Sequence, residues 1–303
     1  MTTESPTVTL EQLDREIASR SFPEFLKFVK ILEPPTTISR GGVIPFEMWD
    51  HLTEFVGALG KERLIAVLKS RQLGFSWTLA AYALWTAQFK EGANVLAFSQ
   101  GQLEATVFLG KSKFIHEHLP EHLKIPLTRD NDTTMEFSSM KSKIVALPST
   151  EKAGRGEMAT LVIWDEAEFH ENLPLNYAAA KPAIDAGGQA IFCSTPLKKT
   201  PASLFKEIVR GAKAKRNGFF LVYAGWNSRK DRDQKWWDAR YKEAPITEGI
   251  TPDLYMEQEH HGTFEEAMAP SRVMAAFDVD ALDDMQNDVK RPVETRNGVV
   301  NIY

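Results

Sequence analysis

The chain has 303 residues, 43% of them hydrophobic, a formal net charge of −5 and one cysteine. That length and apolar content are enough for a sizeable core in one large domain or two, while the lone Cys193 excludes an intrachain disulfide framework and suits a reducing compartment. The opening Met1-Thr2-Thr3-Glu4-Ser5 is polar and the longest apolar stretch, near Leu79 to Trp85, is too short for a bilayer, so the sequence predicts a soluble intracellular chain.

Thr9 to Leu32 is predicted helical: Leu13, Ile17, Phe22, Phe25, Leu26 and Val29 line one side, Pro23 interrupts the pattern, and Pro34-Pro35 ends it. Phe46 and Trp49 follow in the stretch Ile44 to Leu52. The apolar run Leu64-Ile65-Ala66-Val67-Leu68 is a predicted strand that opens through Lys69-Ser70-Arg71-Gln72-Leu73-Gly74-Phe75-Ser76 into a helix-like stretch. A nucleotide-binding chain places its phosphate loop at such a junction. Against the pattern GxxxxGK followed by Ser or Thr, Gly74 and Ser76 fit, but Phe75 stands where the lysine belongs and Lys69 where the first glycine belongs. The lysine has changed ends of the loop. Two of four fixed positions also fit an ordinary strand-to-helix turn, so the reading needs a second site.

Residues 95–99 and 144–147 are the next predicted strands, with a helix-like stretch from Gln102 between them. His116, His118 and His122 flank Leu119-Pro120 without a cysteine or a tight acidic cluster, a poor zinc set. Arg155 sits between Gly154 and Gly156, eleven residues before Glu166. The second site is Leu161-Val162-Ile163-Trp164-Asp165-Glu166, an apolar run ending in two carboxylates. ATP hydrolysis requires one carboxylate to hold Mg²⁺ and a neighbour to orient and deprotonate water, which assigns Asp165 to the metal and Glu166 to the water. The strand Ala190-Ile191-Phe192-Cys193 then ends in Ser194-Thr195-Pro196, hydroxyls able to sense the γ-phosphate, or a plain Ser/Thr-Pro turn.

Lys198-Lys199 and the stretch from Lys206 through Arg210, Lys213 and Lys215 to Arg216 are the clearest basic run, open to reading as a DNA contact or a solvated helix face. After a strand at 219–223, Trp226 to Met285 is polar, Trp-containing and helical in pattern, a predicted small lid; His260-His261 is assigned to its surface and Trp236-Trp237 to its packing or to a partner interface. The acidic group Asp278, Asp280, Asp283 and Asp284 is read as a solvated face. Strands alternating with helices predict an α/β fold with a mainly parallel sheet, whose strand C-termini are where ligands bind.

The order and wording of these elements resemble the ATPase domain of the large terminase subunits of tailed bacteriophages. Lys69 to Trp77, reading KSRQLGFSW, is similar to that family's deviant Walker A; LVIWDEAEF to its Walker B with the catalytic glutamate; and CSTP to its coupling motif. The likeness extends over about residues 20 to 290, including Tyr255 to Glu259 and Thr263 to Met268 near the close of the ATPase half.

The resemblance implies a RecA-like P-loop NTPase of the ASCE group, with residues 1–58 as an N-terminal adenine-side segment, 59–224 as the ATPase core, 225–290 as a lid, and 291–303 as a linker toward a nuclease domain whose motifs do not appear. It implies an ATP-hydrolysing motor that drives double-stranded DNA into a procapsid in the host cytoplasm, with Mg²⁺, a ring of copies, the portal protein and the small terminase subunit as partners. ATP-binding residues would be Lys69, Ser70, Arg71, Gln72, Leu73, Gly74, Phe75, Ser76 and Trp77, with Ser76 and Asp165 on Mg²⁺, Glu166, Arg71 and Arg155 catalytic, and Ser194 and Thr195 coupling. Arg155 is open between a finger for a neighbouring subunit, a solvated arginine and a DNA-phosphate contact. No glutamine stands at the family's adenine-reading position, which leaves Phe46 or Trp49 to pack on the base or to serve as core aromatics. Two other classes stay open: a helicase-type ATPase, which calls for a second RecA-like lobe, and a non-catalytic nucleotide-binding scaffold, which would not need Glu166.

Overall fold

Four of the apolar runs, at 64–69, 94–99, 161–165 and 189–194, become strands buried on both faces, with helices packed on either side of the sheet they form. The computed structural model describes residues 9–35, 40–247 and 250–271. At the N-terminus, α1 (Leu10–Arg20) is opened by Thr9 and Gln12 in a reciprocal capping box, and α2 (Phe22–Leu26) by the Ser21 side chain. The long helix expected through Leu32 is therefore two short ones. Pro23 lies in the first turn of α2, where its missing N–H costs nothing. Beyond it, β1 (Lys30–Glu33) pairs antiparallel with β2 (Gly42–Pro45) instead of continuing as helix.

The core sequence runs α3 (Asp50–Leu59), β3 (Leu64–Lys69), α4 (Phe75–Phe89), β4 (Asn94–Ser99), α5 (Gln102–His118), β5 (Arg129–Asn131), β6 (Thr134–Phe137), β7 (Ser142–Pro148), β8 (Leu161–Asp165), α6 (Leu173–Asp185), β9 (Gln189–Ser194), α7 (Leu204–Lys213) and β10 (Phe220–Ala224). Among the described residues these strands form one eight-stranded sheet in the order β10-β3-β9-β8-β4-β7-β6-β5. All neighbours from β10 to β7 are parallel; β7-β6 and β6-β5 are antiparallel. The six expected strands are all present, whereas β5 and β6, three and four residues long and partly polar, carry no usable period.

Alternation within each strand sorts side chains between two cores. Ile65, Val67, Val95, Ala97, Ile163 and Ile191 pack toward α1 to α5, and Ala66, Leu68, Leu96, Val162 and Ala190 toward α6 and α7. On the second face the register sets Phe98 beside Trp164 and Trp164 beside Phe192. Their rings stack at 5.5 and 4.2 Å between centroids, a ladder that fixes the relative height of β4, β8 and β9. The tips of β8 and β9 are thereby held level with each other, which matters for the groups they carry.

After β10 come α8 (Gln234–Lys242), α9 (Pro252–Glu259) and α10 (Phe264–Met268). The acidic group Asp278, Asp280, Asp283 and Asp284 lies outside the described residues. No helix among the described residues is long and apolar enough to cross a membrane.

Candidate functional site

β3 is flanked by β10 and β9, so the loop after Lys69 emerges inside the sheet. Two of its residues leave the right-handed region, Gln72 at φ 58° and Gly74 at φ 83°, and a Cβ on Gly74 would also press to 3.3 Å from Leu52. This tight turn aims the start of α4 at the strand tips. The first amides of that helix have no intrahelical partner, and no side chain caps it, a setting that favours an anion. Phe75, standing where a phosphate-loop lysine would be, points into the core against Phe55, ring centroids 5.2 Å apart.

Lys69 supplies the cation from the other end of the loop. It is 4% exposed, and its Nζ lies 2.5 Å from Glu166 Oε1. Burial alone would lower this ammonium's pKa, but Glu166, with help from Asp165, holds it above the ordinary lysine value. Glu166 stands at φ 54°, where the chain leaves β8 for a short 3₁₀ turn at Ala167–Phe169. Burial would raise its pKa, yet Lys69 pulls it below the usual carboxylate range. Its second oxygen, Oε2, faces Ser194 Oγ and the Thr195 amide, each at 3.4 Å. Asp165 accepts from Ser76 Oγ at 3.1 Å, and both burial and the charge of Glu166 raise its pKa. The His170 ring, pushed down to about 4 by burial, holds the Asp165 carbonyl through Nε2 at 2.8 Å.

Lys69, Ser76, Asp165, Glu166, Ser194 and Thr195 thus converge at the ends of three adjacent strands. Other sequence-predicted residues sit differently. The Ser70 hydroxyl donates to the His261 carbonyl, and the amides of Ser70 and Arg71 donate to Ala224 and Glu259, so these two amides are already engaged by the protein. Leu73 is buried in the core, and Trp77 packs on Phe114 of α5, ring centroids 5.8 Å apart. Arg71 Nε pairs with Glu259 at 2.6 Å. Arg155 is exposed on the 151–156 turn. That turn is anchored at its base by Asn172 and Asn176, which bond Ser149 and Thr150, and Gly154 passes so close to Phe98 that a Cβ would lie 2.6 Å from the ring.

Of the two aromatics expected to meet the base, Phe46 and Trp49 both pack against the core, and the Trp49 ring also carries the Arg229 guanidinium 3.9 Å from its centroid. Trp49, Asp50, Arg229 and Asp231 line a cavity of about 250 Å³. One lysine of the basic run and two histidines after β10 lie elsewhere than the sequence predicts. Lys206 is buried at 2% exposure rather than lying on a solvated face, although Arg210, Lys213, Lys215 and Arg216 on the same stretch are exposed. His260 and His261, assigned to the surface, are buried, because the segment from 259 to 262 is drawn against the 69–71 loop and Trp226. Among the three clustered histidines, His116 Nε2 bonds the Ile125 carbonyl and His118 Nδ1 the Phe114 carbonyl.

Several residues of the site carry no sequence motif. His51 lies 2.8 Å from the Leu73 carbonyl and 3.2 Å from that of Ser228. Arg232 donates to the Arg71 and Gln72 carbonyls, and Arg229 to Gln72. A signal for them existed only as Arg and His near aromatic residues, which is too common to single them out.

A family model described as "Terminase large subunit, T4likevirus-type, N-terminal" matches residues 66–291. The Thermus phage P74-26 large terminase ATPase domain is similar in structure, with a TM-score of 0.53 at 17% identity over 71% of this chain and 98% of that one. The large terminase of bacteriophage HK97 gives 0.52 at 16%, covering 68% and 44%. A large terminase from a thermophilic bacteriophage, solved in complex with ADP, gives 0.52 at 10%, covering 69% and 52%. The chain therefore spans about half the length of the latter two. The shared fold is a mostly parallel sheet flanked by helices, consistent with a RecA-like arrangement.

Proposed function

The chain belongs to this family of phage terminase large subunits, and from that premise we propose that it is the ATP-hydrolysing motor that drives double-stranded DNA into a procapsid. The observation that carries the reading is the convergence of Lys69 and Glu166 at 2.5 Å beside the Ser76–Asp165 pair, at the uncapped start of α4. In the proposed mechanism the free amides at the start of α4 and the Lys69 ammonium receive the phosphates, with Lys69 leaving Glu166 as the γ-phosphate arrives. Glu166, freed of its counter-charge, accepts a proton from water as the water oxygen bonds to the γ-phosphorus and the β–γ bridging bond breaks. Arg71, released from Glu259, and Arg155 of a neighbouring copy stabilise the spreading negative charge. Ser194 and Thr195, which touch Glu166 Oε2, report the change. The base packs beside Trp49.

Mg²⁺ fits the donor set: Ser76 and Asp165 present a hydroxyl and a carboxylate to one point, and burial and the neighbouring Glu166 charge raise the Asp165 pKa, a cost that a bound cation would offset. When bound, the ion would neutralise charge on the β- and γ-phosphate oxygens. The proposed partners are a ring of further copies, the portal protein and the small terminase subunit, in the host cytoplasm.

Steady-state ATP hydrolysis with and without double-stranded DNA, at concentrations spanning assembly, tests the proposal. Wild type is expected to turn over, with Lys69→Ala and Glu166→Ala both inactive though folded. Turnover that survives either substitution would remove the site.

A further inference from the structure

Glu168, Lys206 and Lys198 are buried charges that the proposed mechanism does not use. Glu168 sits in the 3₁₀ turn two residues beyond Glu166, with its side chain 0% exposed. It accepts from Ser203 Oγ at 2.5 Å and from the Leu197 amide at 3.4 Å, and Lys206 Nζ lies 3.6 Å away. The Lys206 ammonium also donates to the carbonyls of Leu197 and Thr200. The 197–203 loop is thus clamped onto the turn that follows the site. The next residue, Lys198, reaches the other way: it is 3% exposed, its Nζ donates to the Glu266 and Ala269 carbonyls, and its amide donates to Gln258. Its ammonium therefore closes the C-terminal end of α10, where carbonyls are left without helical partners.

This clamp is continuous with the Glu166 carboxylate. Ser194 Oγ donates to Glu166 Oε2 and accepts from the Glu168 amide at 3.1 Å, so one hydroxyl joins the site to the turn that carries Glu168. The Thr195 hydroxyl beside it is wholly buried and makes no hydrogen bond among the described residues. A buried hydroxyl left unpaired is costly, and it gains a partner only if the strand tip rearranges. Burying three charges far from bulk water is also expensive, and apolar side chains would pack the same space at least as well.

We infer that Lys198 is a positioning residue that ties the arrangement of the Glu166 carboxylate to the end of α10, so that nucleotide at the 69–76 loop changes the order of residues 264–269. The inference rests on the reading of that loop as a nucleotide site. Drawing Lys69 off Glu166 reorients the carboxylate, frees Ser194 to change acceptor, and moves the 195–200 loop with the Lys198 ammonium at its end.

The test is hydrogen exchange of residues 264–269 in the full chain, with and without a non-hydrolysable ATP analogue and Mg²⁺, alongside nucleotide affinity by titration. In wild type the analogue should change exchange there by about fivefold or more. Lys198→Met should bind the analogue with unchanged affinity but lose that response, and Lys198→Arg, which keeps a cation and its donors, should restore it. Should the Met variant fail to fold, Lys198→Gln, which loses the ammonium and is too short to hold both carbonyls, is expected to lose the response in the same way. A response in either Lys198→Met or Lys198→Gln equal to wild type overturns the inference. So does faster exchange in Lys198→Met whose nucleotide response persists, since that marks a plain helix cap. Wild type that binds the analogue without a response overturns the inference alone; wild type that does not bind it overturns the site reading and the inference together.

Discussion

The strand tips at 69–76, 165–166 and 194–195 and the flanking segment 197–271 both bury charge, but by different means. At the tips, Lys69, Asp165 and Ser194 each follow directly on an apolar run, so their positions are set by where a strand stops. In the flank, Lys198, Lys206, His260 and His261 look like a polar surface in sequence, and are buried by carbonyls and rings from other segments. Local pattern decides the first region and remote partners the second.

The largest effect that separates them is at the tips. Glu166→Gln should cut ATP turnover by about a thousandfold, because it removes the proton acceptor, while the remaining amide oxygen still accepts from the buried Lys69 and keeps the chain folded. Steady-state kinetics with a melting curve checks this; a fall of less than about tenfold would mean that Glu166 is a pairing residue only. In the flank the same kind of change should strike stability. Lys206→Met leaves the Glu168 carboxylate buried without its cation and should cost about 3 kcal/mol or more in urea unfolding. Adding Glu168→Gln should recover most of that loss, since a neutral amide oxygen still accepts from Ser203 and Leu197. If the double variant is as unstable as the single one, the flank is held by packing alone.

This difference explains what the sequence made legible. Six of the eight sheet strands, the loop between Leu68 and Ser76 and the acidic pair were readable because each rests on apolar runs of about four to six residues. The break between α1 and α2 was not, because Ser21 serves both as the end of one helix and the cap of the next while the apolar spacing runs on. Nor was the clasp on the loop: Arg232 reaches the Arg71 and Gln72 carbonyls across some 160 residues, and Ser70 reaches His261 across 191. A guanidinium that bonds backbone carbonyls leaves no complementary residue to be found in the sequence.

Acid should expose the flank through its histidines. Burial, together with the charges of Lys198, Lys69 and His260, lowers His261 from 6.5 to about 3, so between these values the unfolded chain binds a proton that the folded chain does not. Stability then falls as pH drops. For this one group the loss between pH 7 and pH 5 should be about 2 kcal/mol. His261→Asn, which keeps a partner for the Tyr223 hydroxyl, should flatten the curve by that amount in urea unfolding at the two pH values. An unchanged slope would mean that His261 titrates as if exposed.

The smallest effect lies where the two regions touch, at the ion pair between Arg71 of the loop and Glu259 of the flank. The partners are unequal: the Arg71 side chain is 56% exposed and that of Glu259 is 7% exposed. Glu259→Gln strands only a guanidinium that water already reaches, so its cost should be below about 0.5 kcal/mol, within the range of exposed pairs. Arg71→Ala leaves the buried carboxylate with Gln258 Nε2 as its remaining side-chain donor and should cost about 1 to 2 kcal/mol. The order of the two losses carries the argument, because a pair governed by direct attraction alone would lose the same amount whichever partner were removed. Equal losses in urea unfolding would place Glu259 in effective contact with solvent and return this part of the flank to the surface that its sequence suggests.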